Sequence, residues 1–171
     1  MLTTTLNRIR TKGPCPKGWR RLLGGLGKTV PDDEPLAYAD ILRINGLDDA
    51  IWCMRAEPQY AKQWRLFTVK CTRRVQHLMK DPRSIAALDV AERHAYGAAT
   101  DAELAAAKVA AWEAENATWA FDRGASRDAA RAAACAVLDD AHAAAWDATS
   151  DGSPEERAEQ SRIFLEIVNG E

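Results

Sequence analysis

The chain has 171 residues, and its 23 basic and 25 acidic side chains leave a formal net charge of −2. This length suits one domain, and a composition that is 47% hydrophobic and 28% charged excludes a disordered chain. No apolar run approaches the roughly 20 residues that span a bilayer, so we predict a cytoplasmic protein without membrane contact.

The charge is divided unevenly along the chain. Residues 1–80 contain 15 Lys and Arg against 7 Asp and Glu, whereas residues 81–171 contain 8 against 18. The first 31 residues hold seven basic side chains and no acidic one. Such an asymmetry indicates either a charged partner or two halves that neutralise each other.

The start of the chain predicts a basic arm over residues 1–13, followed by one helical domain over residues 14–171. Within that domain we expect a basic N-terminal half, 14–80, and an acidic, Ala-rich half, 81–171. Prolines interrupt any helix just after the arm and again at residues 31–35. Between these interruptions we expect a short helix from Trp19 to Leu26, and after them a helix from about Leu36 to Ile44.

The segment from about Gln59 to Met79 has the clearest amphipathic pattern. Its apolar side chains recur at steps of three and four residues, which places them on one helix face; they are Tyr60, Trp64, Phe67, Cys71, Val75 and Leu78. We interpret this stripe as a face that packs into the core.

Three later helices are predicted from their start signals. Asp81 precedes Pro82, Thr100 stands three residues before Glu103 as in a capping box, and Ser153 precedes another proline. Between Ala98 and Ala148, 23 of 51 residues are alanine. Alanine favours helices and lets their axes approach closely, and we expect the tryptophans of this block to be its bulky packing residues.

No segment shows the alternation of a strand bounded by hairpin turns. The patterns together predict an all-α protein, a single-domain bundle of seven or eight helices whose Ala-rich C-terminal helices pack closely. The four cysteines are far apart and sit mostly among apolar residues, so we expect them to be reduced.

A basic ridge is the main candidate for a binding surface. Positively charged side chains recur at helical spacing on the side of the predicted helix 59–79 away from its apolar stripe, namely Lys70, Arg73, Arg74, His77 and Lys80. Arg20 and Arg21 extend this set of partner-binding candidates, as do the arm residues Arg8, Arg10 and Lys12. Such a surface can bind phosphates or an acidic protein, and the alternative is a solvated face that meets acids of the second half.

Residues for catalysis, a metal or a cofactor are not predicted. Cys135, Asp139 and His142 share one helix face by their spacing, but a zinc site needs three or four converging ligands and this pattern arises easily in an Ala-rich helix. Cys135 and His142 are two helical turns apart, about 10 Å, which is too far for a nucleophile and its base. We therefore expect a protein that is not an enzyme.

From Arg65 to Ala148 the sequence resembles the immunity-five-like family of immunity proteins and Ala/Trp-rich helical proteins of phages and mobile elements. The resemblance rests on Cys71, Val75 and Leu78, on Asp81 to Ala87 with Ala91 to Arg93 and Gly97, and on the run Ala141 to Trp146. The stretch from Gly18 to Cys53 resembles the phage-borne proteins. This resemblance implies a bacterial or phage setting and a binding role, and it carries over no catalytic residue.

The function predicted from these observations is that of a non-enzymatic, protein-binding inhibitor of phage or mobile-element origin. It would block a bacterial toxin or defence complex by steric and electrostatic means, as immunity-like or anti-CRISPR-like proteins do. Its partner would be a bacterial protein or ribonucleoprotein complex. The sequence also allows the chain to form a homodimer. The alternative is a nucleic-acid-binding accessory protein that uses the basic helix face and the N-terminal arm.

Overall fold

The computed structural model describes residues 1–121, 125–137 and 153–170, without the side chains of residues 120, 121 and 137. These residues contain nine α-helices and one pair of short strands. The strands are β1 (Thr3–Thr4) and β2 (Leu36–Ala37). The helices are α1 (Leu6–Thr11), α2 (Pro16–Gly25), α3 (Tyr38–Asn45), α4 (Leu47–Cys53), α5 (Ala61–Arg74), α6 (Pro82–Ala95), α7 (Asp101–Phe121), α8 (Ala125–Val137) and α9 (Pro154–Asn169).

The all-α class is confirmed, although the strand pair and α1 were not foreseen. β1 and β2 are antiparallel, with Thr3 opposite Ala37. Strands of two residues are too short to show an alternating pattern, which explains why the sequence gave no sign of them. Three short 3₁₀ turns complete the described elements, at Met54–Ala56, Pro58–Tyr60 and Gln76–Leu78.

The chain divides into two compact units, Met1–Tyr60 with Phe164–Glu171, and Ala61–Ile163. This division differs from the expected one, in which residues 1–13 form an arm and residues 14–171 form one domain. Residues 1–13 form β1 and α1, and they place Leu6 and Ile9 in the core of the first unit with 1% of each exposed. The two units are described separately below.

The first unit is built around Tyr38 and Phe164, both fully buried. Their rings meet edge to face with centroids 6.3 Å apart, a favourable aromatic geometry. The Tyr38 hydroxyl donates a hydrogen bond of 3.0 Å to the carbonyl of Cys53. Desolvation on burial raises the pKa of this hydroxyl, so it stays a donor. Leu2 N–H donates to the carbonyl of Val168 at 2.6 Å.

The second unit packs α5 to α8 through small side chains. One cluster joins Val69 of α5 and Leu104 of α7 to alanines of α6, α7 and α8, namely Ala87, Ala91, Ala107, Ala111 and Ala134. Another places Leu88 and Met79 against three alanines of α8. The predicted close packing of Ala-rich helices is thus confirmed for the described part of that block.

The apolar stripe is confirmed as a core face within α5, where Trp64, Phe67 and Cys71 are buried. Its other three residues lie outside α5 and are half-buried, because the predicted helix is shorter at both ends; they are Tyr60, Val75 and Leu78. The expectation for the tryptophans of the Ala-rich block is wrong where it can be examined. Trp112 and Trp119 are 59% and 57% exposed, since α7 turns Leu104 and its alanines inward instead. Trp146 lies outside the described residues.

Candidate partner-binding surface

The basic ridge predicted on one helix over residues 59–79 lies in the second unit, but α5 ends at Arg74, which leaves His77 in a 3₁₀ turn and Lys80 beyond that turn. The two arginines of the ridge are engaged by carboxylates of this chain. An Nη atom of Arg73 is 2.5 Å from Asp89 and 2.9 Å from Glu92, both on α6. The Nε atom of Arg74 contacts both carboxylate oxygens of Glu156, at 2.7 and 2.9 Å. A partner that uses these arginines must therefore compete with acids that the fold already supplies.

The other three residues of the ridge differ in exposure. Lys70 is half-buried, while His77 and Lys80 are exposed. The Nδ1 atom of His77 lies 3.1 Å from the carbonyl oxygen of Arg74, and both lysines make interactions of their own within the chain. The binding role of the ridge stays a prediction, and the acids of α6 and α9 balance the charge of its two arginines.

The basic residues of the first unit are in a different situation. Of the seven in residues 1–31, two form ion pairs. Arg8 contacts the fully buried Glu57 at 2.5 Å, and Lys28 contacts Asp32 and Glu34 at 2.5 and 2.6 Å. The remaining five are exposed and have no carboxylate partner among the residues that the structure describes; they are Arg10, Lys12, Lys17, Arg20 and Arg21. We call these five residues the N-terminal basic cluster.

The geometry of α2 explains why three members of this cluster point away from the core. One helix face carries all three, because Arg20 and Arg21 lie three and four positions after Lys17. The opposite face packs closely. A Cβ atom on Gly18 would lie 2.7 Å from the Oδ2 atom of Asp49, and Leu22 is buried. Pro16 and the Cys15 cap fix the start of the helix.

The first unit also contains an apolar groove. Its volume is about 70 Å³, and the residues that line it include Ile9 of α1, Trp19 and Leu22 of α2, and Trp52 of α4. The exposed Cys15 also lines it. The guanidinium of Arg55 lies over the Trp52 ring, 4.7 Å from its centroid, so the groove has both aromatic walls and nearby positive charge.

Polar atoms hold the shape of the groove. The Nδ2 atom of Asn45 donates to the carbonyl of Gly18 at 2.9 Å and to the carboxylate of Asp49 at 2.7 Å. These bonds connect the end of α3 with α2 and α4. Sequence reasoning singled out Arg20 and Arg21 but missed the groove, because its lining comes from positions between 9 and 53 that no local pattern connects.

Arg65, His94 and Asp101 form a second feature that the sequence did not reveal. Arg65 is 8% exposed, and its Nη1 atom donates to the Nδ1 atom of His94 at 2.7 Å. Because an arginine can only donate, Nδ1 is the acceptor, and the Nε2–H of the ring donates to Asp101 at 2.8 Å. This chain of hydrogen bonds connects α5, α6 and the first residue of α7.

Metal ligands do not converge within residues 1–121, 125–137 and 153–170, where no group of three or more suitable side chains is found. Cys135 is half-buried on α8, while Asp139 and His142 lie outside the described residues. All four cysteines are free thiols, as expected. Desolvation raises the pKa of the Cys53 thiol to about 12 and also raises that of Cys71. Neither thiol is suited to act as a nucleophile.

Among the described residues, no helix has the length and apolar character needed to cross a bilayer.

The predicted partner-binding residues lie in both units. Arg20 and Arg21 belong to the first unit, and the ridge belongs to the second. Comparison of the chain with protein-family models, with curated proteins and with solved structures finds no match.

Proposed function

We propose that this chain is a non-enzymatic binding protein that recognises an acidic surface of another macromolecule through the N-terminal basic cluster. The observation that carries the proposal is the absence of carboxylate partners for its five side chains among the described residues. Basic residues that are not neutralised within the fold attract an acidic partner and speed the encounter. Arg73 and Arg74 of the ridge, by contrast, already have such partners.

The more specific form of this proposal concerns the target. We propose an inhibitor of phage or mobile-element origin that acts in the bacterial cytoplasm and blocks a toxin or a defence complex, including a ribonucleoprotein. This part rests on the sequence resemblance to immunity-five-like and phage proteins. The four free cysteines are in keeping with a reducing compartment.

The test compares two variants with equal changes in net charge. Arg20→Glu/Arg21→Glu reverses two residues of the cluster, and Lys62→Glu/Lys80→Glu reverses two exposed lysines of the second unit, one of them in the ridge. Partners captured from a bacterial lysate by the immobilised wild-type chain are identified by mass spectrometry. Their affinity for each variant is then measured with purified components.

We expect the cluster variant to lose at least tenfold in affinity, since two charge-assisted contacts are removed and two repulsive ones are added. The control variant should bind as the wild type does. If the control loses the partner and the cluster variant keeps it, the ridge is the contact surface and the assignment to the cluster is wrong.

Nucleic acid is the second candidate partner, because the same five side chains are suited to a phosphate backbone. This alternative predicts retention on DNA or RNA at low salt and a steep loss of affinity as the salt concentration rises. Electrophoretic mobility shifts at two salt concentrations measure it directly. A chain that shifts neither nucleic acid at low salt would exclude this alternative.

A further inference from the structure

An exposed stripe runs along α7 in the second unit. Its positions recur at steps of three and four residues, and all six are exposed; they are Ala102, Ala105, Val109, Trp112, Asn116 and Trp119. The large apolar members, Val109, Trp112 and Trp119, are 57%, 59% and 57% exposed. Apolar side chains that are exposed together on one face, rather than singly, mark an interaction site.

A different face of α7 serves the core of its own unit. The buried positions of the helix also recur at steps of three and four, and they are Leu104, Ala107, Ala111 and Ala114. At the rotation of an α-helix, the buried and exposed sets point in directions about 150° apart. Arg127 of α8 lies over the ring of Trp119, 4.0 Å from its centroid, and so helps to hold this ring at the end of the exposed stripe.

The spacing of the exposed stripe is that of a coiled-coil seam. Alternating steps of three and four residues place its members at the a and d positions of a heptad repeat, through which two helices pack against each other. The stripe extends over about 26 Å of helix. Asn116 is at an a position, where a single asparagine fixes the register of paired helices. The stripe therefore matches the face of another α-helix.

The order of side-chain sizes makes the stripe complementary to itself in the antiparallel direction. Its steps read the same from either end, so a second α7, related by a two-fold axis between Val109 and Trp112, meets all six positions. Each small side chain then faces a larger one, an arrangement that packs well; the facing pairs are Ala102 with Trp119, Ala105 with Asn116, and Val109 with Trp112. A parallel pair would instead place alanine on alanine at one end and tryptophan on tryptophan at the other.

Charged side chains beside the stripe fit the same pairing. Lys108 and Glu115 each precede an a position, and these flanking positions face one another when two such helices are antiparallel. Lys108 of one copy therefore lies near Glu115 of the other, and the two-fold axis repeats this pair of opposite charges. Lys108 also makes an interaction within its own chain, so the pair contributes orientation more than affinity.

We propose that two copies of this chain form a symmetric dimer in which their α7 helices pack antiparallel through the exposed stripe. The two-fold symmetry closes the contact, because both copies use the same face. The tryptophans anchor it, since tryptophan is enriched among the residues that dominate interface energies. This inference does not depend on the proposed function, whose basic cluster belongs to the first unit.

Sedimentation equilibrium of the full-length chain tests the dimer. The wild type should approach twice the 18.8 kDa of one chain as its concentration rises. Trp112→Glu should raise the dissociation constant of the dimer at least about a hundredfold, because each dimer loses two tryptophans and gains two unpaired charges in the contact. The matched control is Ala117→Glu, which adds the same charge at an exposed position of α7 outside the stripe and should dimerise as the wild type does.

A wild-type chain that stays monomeric up to millimolar concentration overturns the proposal, and so does a dimer that Trp112→Glu leaves intact. Circular dichroism reports the fold of each variant. Because Trp112 is exposed, Trp112→Glu should keep the helical content and the stability of the wild type. A variant that unfolds would show that the stripe is covered by its own chain, and the proposal would be wrong.

Exchanging the flanking charges tests the pairing of the two copies. Lys108→Glu should weaken the dimer about tenfold, since it places like charges together at two sites. Lys108→Glu/Glu115→Lys should restore the affinity, because the pair is formed again with its charges reversed. A double variant that dimerises no better than Lys108→Glu would contradict the antiparallel register.

Cysteine cross-linking tests the direction of the helices. The background is Cys15→Ser/Cys135→Ala, which removes the two thiols that are not buried. Ala105→Cys/Asn116→Cys should give a disulfide-linked dimer on mild oxidation, because the two new thiols face each other across the contact. Either substitution alone should not, since its symmetry mate is about 16 Å away along the helix, beyond the Cα separation of about 7 Å that a disulfide can span. Cross-linking of the single variants would show parallel helices and overturn the proposal.

Discussion

Arg8 shows how one residue of a basic segment can serve the fold while its neighbours remain available. Its guanidinium contacts Glu57, whose side chain is fully buried and also receives a hydrogen bond from Gln59. A buried carboxylate without its partner is strongly destabilising. Arg8 and Arg10 are thus two residues apart in sequence and have different roles, one in stability and the other in the N-terminal basic cluster.

We predict that Arg8→Ala lowers the free energy of unfolding by about 1–2 kcal/mol, less than a fully buried pair would lose because Arg8 itself is largely exposed. The matched control is Arg10→Ala, which removes an exposed side chain and should change stability by less than about 0.5 kcal/mol. Urea unfolding followed by circular dichroism measures both. Equal losses in the two variants would contradict the role given to the Arg8–Glu57 pair.

At the scale of the element, α7 is defined by alanines that face inward and larger side chains that face outward. Ala111 and Ala114 are fully buried, while Val109, Trp112 and Trp119 are exposed. Leu104 is the one large side chain that α7 contributes to the buried cluster with α6 and α8 within the described residues. The closeness of these helices therefore depends on the size of the buried alanines.

We predict that Ala111→Leu destabilises the chain by about 1–3 kcal/mol, because a larger side chain in a close-packed site forces neighbouring groups to move. Ala106→Leu is the control on the same helix, where the side chain is exposed, and it should change stability by less than about 0.5 kcal/mol. Thermal unfolding of both variants measures the difference. A stabilised Ala111→Leu protein would mean that the α7 interface contains unfilled space.

The start of α7 adds a dependence on pH. The capping box predicted from Thr100 and Glu103 is confirmed, with the Glu103 carboxylate 2.7 Å from Thr100 N and Thr100 Oγ1 3.2 Å from Glu103 N. The hydrogen bond from the Thr100 backbone lowers the pKa of Glu103. A carboxyl group with a lowered pKa in the folded state stabilises the fold above its ordinary value, here 4.5, and loses this effect as the pH falls through the lowered pKa.

We therefore predict that the chain loses stability below about pH 4.5 and that part of this loss disappears in Glu103→Gln, since glutamine can complete a capping box without titrating. Urea unfolding of both proteins at pH 7 and pH 3 measures the difference. The wild type should lose more stability between the two pH values than the variant does. Equal losses would show that the Glu103 carboxylate contributes nothing to the acid sensitivity.

The elements that the sequence predicted are those that local interactions define. The caps at Asp81, Thr100 and Ser153 each involve hydrogen bonds over two or three residues, and the stripe of α5 follows helical spacing. The pairing of charges could not be predicted in the same way. Arg74 and Glu156 are 82 positions apart, so the sequence shows that both charges exist but not that they meet.

The same reasoning applies to the candidate site. Arg20 and Arg21 could be named from the sequence because exposure follows from their positions on a helix face. The groove could not, because it forms only when α1, α2 and α4 come together. The exposed basic residues are thus visible in a single sequence, whereas the groove is not.

At the scale of the whole molecule, the first unit is discontinuous in sequence. Its core includes Phe164 and Val168 of α9, both fully buried. The Phe164 ring packs on Tyr38, and the carbonyl of Val168 accepts the hydrogen bond from Leu2. Residues 1–60 therefore rely on a segment that follows the entire second unit along the chain.

We predict that Phe164→Ala costs about 3–5 kcal/mol, as expected for removing a buried aromatic ring, and that its effect appears in residues 1–60. Hydrogen exchange read by mass spectrometry should show faster exchange in peptides around Tyr38 and Ile41. The control Asn169→Ala changes an exposed residue of the same helix and should leave exchange unchanged. Unaltered protection around Tyr38 in the Phe164 variant would contradict the placement of α9 in this core.

The position of Phe164 and Val168 in the core of the first unit also has a consequence for biosynthesis. Domains generally fold in order as they leave the ribosome, the N-terminal one first. Here residues 1–60 are translated early but must wait for residues 164–168 before their core can close. The surface that we assign to partner binding is therefore finished late, after the residues of the second unit have been made, and nascent chains that stop short of Phe164 would carry the basic cluster on an unfinished core.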